Sequence, residues 1–204
     1  MRTYSRNQHS FFDDLVSYLS SVASFGMAIE AHNFGFRPAF RPNERIGLMG
    51  TPGVSNTELA FSPHSILQSI AANGWPKLIE FEEKPLNITP NTFSGFPIQL
   101  TGVKGLHSLM LQAMFIHYYE TVRPRVEALY SADVRKWPSV LNFARVIRNA
   151  FAHGGQISFL NPDAQPASWR TLTYTPSDNG RYILYLDITA VEAILLMEDM
   201  DSTL

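Results

Sequence analysis

Cysteine is absent, which excludes disulfides, thiolate metal centres and a cysteine nucleophile together and leaves packing as the source of stability. Charge is sparse as well. Asp, Glu, Lys and Arg make up 17% of the chain and nearly cancel at a net charge of −2, so the broad basic excess of a sequence-independent nucleic-acid binder is missing. Any nucleic-acid role must therefore come from a local basic patch. No apolar run is long enough to span a bilayer, because the stretches 109–119 and 190–197 are broken by Gln112, His117 and Glu192. The N-terminus reaches Asp13 and Asp14 without the apolar segment of a secretory signal, so a cytoplasmic location away from membranes is expected. Internal repeats and low-complexity tracts are also lacking.

What the chain does have is a core, since 45% hydrophobic residues over 204 positions suits one compact domain, 1–204. Phe12, Leu15, Val16, Leu19, Val22 and Ala23 recur at helical spacing after Ser10 and Asp13, predicting a helix that ends before Gly35 and Pro38. Residues 33–101 differ in texture, with eight of the thirteen prolines and no sustained apolar period. They read as an irregular Pro/Gly-rich insertion, ordered as a cover because a free loop of that length is disfavoured in a compact domain. Within it Ser62 can cap a short helix, with Pro63 first, Ile66, Leu67 and Ile70 on one face, and Gly74 and Pro76 as the stop.

Regular periodicity resumes at Val103 and predicts a long helix reaching Val122 and continuing, kinked, past Pro124. Another helix starts at Pro138. The β-branched and aromatic runs 156–160, 169–175 and 181–186 follow, the last two joined by the turn-forming residues 176–180, which predicts a hairpin or a three-stranded sheet. Asp187 or Thr189 then caps a final helix ending near Met200. The expected fold class is mainly α, a helical bundle with a long irregular insertion and a small C-terminal antiparallel β element.

The helix after Pro138 carries the chemistry. Val140, Phe143, Ala144, Ile147, Ala150, Phe151 and Gly154 fall on one side of its wheel, and Asn142, Arg145, Arg148, Asn149 and His153 on the other. Asn149 and His153 are four apart, close enough for the amide to bond and orient the imidazole. Leu141 and Val146 point towards the polar side, an apolar exposure that a partner surface would relieve. A purely structural account makes His153 a residue favoured by the helix C-terminal dipole, Gly154 an αL cap and Arg148 a solvated charge.

The run Arg148-Asn149-Ala150-Phe151-Ala152-His153 resembles the motif of the HEPN superfamily, an arginine, a polar residue directly after it, and a histidine four to six residues beyond the arginine near a helix end. The resemblance implies catalytic roles for Arg148, Asn149 and His153 in a HEPN-like helical bundle. It further implies a homodimer with both motifs facing a shared cleft and, in many members, a metal-independent endoribonuclease of toxin or defence systems, in some cases with an antitoxin-like protein partner. Neutral imidazole suits proton removal from a ribose 2′-hydroxyl, and the forked guanidinium suits the attacked phosphate. RNA is then the expected substrate, and no cofactor or metal ion is called for. A non-catalytic HEPN dimer that binds protein or nucleic acid is the alternative reading.

Other residues are assigned structural roles. His107 and His117 share a helix face only loosely. Trp137, Trp169 and the phenylalanines are expected in the core, and Glu80, Glu82 and Glu83 on a solvated surface. Arg37, Arg41 and Arg45 form at most a minor basic strip, since Pro38 and Pro42 interrupt any helix there.

Overall fold

The computed structural model describes residues 1–34, 40–86 and 103–204. Five α-helices are present among them: α1 (Phe12–Phe34), α2 (Pro63–Ala71), α3 (Val103–Tyr130), α4 (Ser139–Ala152) and α5 (Ala190–Asp201). Four strands, β1 (Arg2–Ser5), β2 (Ile46–Met49), β3 (Thr57–Phe61) and β4 (Leu78–Pro85), form one antiparallel sheet in the order β1-β4-β3-β2. A hairpin of β5 (Ala167–Trp169) and β6 (Leu172–Tyr174) completes the set. The class is α+β, which corrects the mainly α expectation.

The correction falls on the stretch read as an irregular insertion. Three of the four sheet strands lie in it, and the N-terminal strand closes the sheet by pairing Arg2 with Phe81 and Tyr4 with Ile79. β4 alternates as a half-buried strand should, with Ile79 and Phe81 inward and Glu80 and Glu82 outward. Of the expected acidic surface, Glu80 and Glu82 are on the outer face of this strand, while Glu83 is exposed with the opposite parity and lies 3.2 Å from Arg2. Phe81 meets Phe61 and Tyr4 edge to face, at 6.1 and 6.0 Å between ring centroids, and these rings join the sheet to the helices. The short helix expected from Pro63 is present as α2, and Ser62 occupies its N-cap position without a side-chain cap bond. Arg37 and the end of the insertion lie outside the described residues.

The helices form the other layer. α1 packs on α2 and α3, α3 on α4, and α5 contacts both α3 and α4 while also meeting β2 and β3. α5 is buried on nearly every side from Ala190 to Met197, which is why its sequence is apolar all round. α3 runs unbroken through Pro124 to Tyr130. No helix among the described residues is long and apolar enough to cross a membrane.

The C-terminal β element also departs from expectation. The run 169–175 is not one strand: Arg170, at φ 51°, turns the chain between β5 and β6. The segment 181–186 forms only isolated bridges, Tyr182 to Gln156 and Leu184 to Ile188, with Ile157 N–H donating to Arg181 O at 2.9 Å. Pro176–Asp178 is a single 3₁₀ turn. Trp137 and Trp169 are core residues as expected, and Trp169 also donates its indole N–H to Asp199 at 2.8 Å.

Candidate functional site

α4 follows a short 3₁₀ turn, Val134–Lys136, and Asn142 fastens the two by donating to Val134 O at 2.7 Å. The helix buries Leu141, Phe143, Ala144, Val146, Ile147, Ala150 and Phe151, because α3, α5 and β5 surround it on three sides. Leu141 and Val146 are each 1% exposed. Their expected exposure, and the argument for a partner surface drawn from it, are thereby corrected: this chain covers both residues itself. The strip left towards solvent holds Arg145, Arg148 and Asn149, half-buried, and His153, exposed.

α4 ends in two glycines. Gly154 and Gly155 adopt φ of 70° and 89°, Gly155 N–H donates to Ala150 O at 2.7 Å, and Gly154 N–H to Phe151 O at 3.3 Å. This pairing satisfies carbonyls that a helix end leaves open and fixes His153 as the last residue before the turn. A Cβ on Gly155 would stand 3.0 Å from the Tyr182 ring. Gly155→Ala is expected to cost about 1–3 kcal/mol, from strain at positive φ and from displacing the Tyr182 ring. Chemical denaturation checks it, and an unchanged midpoint would show that the turn relaxes freely.

Arg148 is not a solvated charge. Its Nη2 lies 2.5 Å from Glu120 Oε1 of α3, and its Nη1 donates to Asn149 Oδ1 at 3.5 Å, a long contact. Asn149 thus leans towards the arginine. It makes no bond to His153, contrary to the expected orienting contact, and the imidazole has no hydrogen-bond partner among the described residues. Beside Glu120, Tyr119 is buried. Its phenol is pushed up to about 12 by burial, while Arg145, Arg123 and Arg148 nearby act in the opposite sense. Arg123 pairs with Glu127 at 2.8 Å, and Arg145 has no ion pair among the described residues. The result is a local cluster of three arginines around one phenol in a chain of nearly balanced charge.

Of the residues selected from the sequence, the structure brings Arg148 and Asn149 into contact and sets His153 one helical turn beyond Asn149. Glu120, Tyr119 and Arg123 were not selected. They belong to α3, and no spacing within either helix announces which turn of α3 meets α4.

The remaining candidates separate from this strip. His117 Nδ1 lies 2.6 Å from Asp14 of α1, and burial pushes the Asp14 carboxyl up despite that pairing. His107 is half-buried with Nε2 unpartnered, and burial pushes its imidazole down. Arg41 and Arg45 are exposed beside β2. An apolar cleft of about 660 Å³ opens between α1 and α2, lined by Met27, Ala31, Phe40 and Leu67 among others, and contains none of the motif residues. Among the described residues no three His, Cys, Asp or Glu side chains gather as a metal site. Comparison with protein-family models, curated proteins and solved structures finds no match to this chain.

Proposed function

We propose that the chain is a HEPN-type, metal-independent endoribonuclease acting through Arg148, Asn149 and His153. The observation that carries this reading is the exposed, uncommitted imidazole at the end of α4, a helix that also carries the half-buried Arg145 and Arg148 and whose other sides are consumed by packing. His153 takes the proton of a ribose 2′-hydroxyl, whose oxygen attacks the adjacent phosphorus. The P–O5′ bond breaks and the departing oxygen is protonated by a second imidazole in its charged form. Arg148 holds the charge that builds on the phosphoryl oxygens. Arg145 adds a second guanidinium on the same helix face.

A homodimer supplies the second imidazole from the same residue of another copy. The proposal of a dimer rests on the motif resemblance, because Leu141 and Val146 offer no exposed apolar face. Sedimentation at tens of micromolar, on the order of ordinary assay concentrations, is expected to show a dimer, and a monomer alone would remove the source of the second imidazole. Toxin or defence activity, with an antitoxin-like protein partner, is the cellular setting proposed for such a nuclease. The deciding experiment is cleavage of a broad RNA panel in EDTA by wild type and His153→Ala. A folded wild type that binds RNA without cutting it would establish the binding-module alternative.

A further inference from the structure

We propose that Glu120 is a built-in competitor of the RNA phosphate for Arg148, so that a phosphodiester enters the site by displacing this carboxylate. The inference rests on the ribonuclease reading above and names what its site must give up to bind substrate.

Glu120 and Arg148 come from different helices and meet at 2.5 Å, with side chains 39% and 31% exposed. A pair at that depth is held weakly enough to exchange for another anion and is close enough to solvent for the exchange to occur. Its geometry is also incomplete. Glu120 Oε1 and the Nε atoms of Arg148 and Arg145 are shielded from solvent yet have no aligned hydrogen-bond partner. The two Nε–H donors gain when a better-shaped acceptor arrives, and Glu120 Oε1, itself an acceptor, gains when it turns out to water.

Arg145 makes that acceptor a phosphodiester. It lies three residues before Arg148 on the same face of α4, so the two guanidinia are neighbours. Glu120 engages Arg148 and leaves Arg145 without an ion pair among the described residues. A phosphodiester also carries one negative charge, but its two non-bridging oxygens lie apart and can accept from both guanidinia, which makes the exchange favourable. Arg123 is held by Glu127 and stays outside the competition.

The test uses the full chain and a fluorescein-labelled, 2′-O-methylated single-stranded RNA that cannot be cleaved, with binding read by anisotropy over a KCl series. Glu120→Gln is expected to bind about three- to tenfold tighter at low salt, with little change in the slope of log K against log [KCl], because the phosphate contacts the same guanidinia once the carboxylate is displaced. Glu120→Asp, which shortens the side chain and keeps its charge, is expected to fall between wild type and Glu120→Gln. Arg145→Ala is expected to weaken binding and flatten the slope. Unchanged or weaker binding by a folded Glu120→Gln overturns the proposal. Loss of helical circular dichroism in both Glu120 variants also overturns it, by making the ion pair a structural element. Cleavage of unmodified RNA by wild type, measured alongside, separates the two readings. A wild type that binds and cuts while Glu120→Gln is inert sinks the competition alone, whereas no binding and no cutting by any variant sinks the ribonuclease reading with it.

Discussion

His153→Ala is expected to reduce RNA cleavage by roughly two to four orders of magnitude, the usual scale for losing an acid–base group. The fold should survive, because the ring is exposed and bonds to nothing among the described residues, while the turn that ends α4 is made by Gly154 and Gly155. Arg148→Lys is expected to be damaging as well, since an ammonium replaces the planar fork by a point charge and cannot span two phosphoryl oxygens. Asn149→Ala should be milder. Its amide contacts Arg148 at 3.5 Å, so its loss should raise KM by loosening the arginine and leave the base in place. Products should end in 2′,3′-cyclic phosphate and 5′-hydroxyl, and EDTA should have no effect. Cleavage by His153→Ala at the wild-type rate would move the chemistry to another residue.

The largest loss of stability is expected at Glu192. This carboxylate is fully buried and accepts from five donors: Thr51 N–H at 2.7 Å, the Thr51 hydroxyl at 3.0 Å, the Ser55 hydroxyl, Thr189 N–H at 3.0 Å and the Thr189 hydroxyl. It closes the capping box of α5 and at the same time ties the β2–β3 turn to that helix. Glu192→Ala strands two backbone N–H groups in the interior and is expected to cost about 3–5 kcal/mol. Glu192→Gln should also be costly, by about 1–3 kcal/mol. Each carboxylate oxygen takes one backbone N–H, so whichever way an amide is turned, its NH₂ faces a donor. Thermal unfolding should show Glu192→Ala lowered by on the order of 10 °C. A midpoint within a degree of wild type would mean that the β2–β3 turn re-forms its bonds elsewhere.

Much of the helical framework was legible because it depends on local spacing. The apolar periodicities of α1, α3 and α4, the proline at the start of α2 and Thr189 as one of two candidate caps of α5 are all contained within a few turns of chain. The four-stranded sheet was not legible, although β4 carries an alternating pattern in Ile79, Glu80, Phe81 and Glu82. Prolines and glycines punctuate the region, the strands are short, and β1 pairs with a strand distant in sequence. Strand pairing is a tertiary choice, and four residues such as Arg2–Ser5 have no period of their own to declare it.

The same division holds at the site. The sequence by itself determined the order of Arg148, Asn149 and His153, their placement along the end of one helix and the glycine turn that follows, because helix geometry converts spacing into position. Only the tertiary structure decided what those residues face. It buried Leu141 and Val146 by surrounding α4 on three sides, brought Glu120 to Arg148 instead of leaving a solvated charge, and left Asn149 and His153 unbonded to each other. A helical wheel assigns faces from one helix alone, whereas burial and charge pairing follow from how many neighbours pack against it and at which turn.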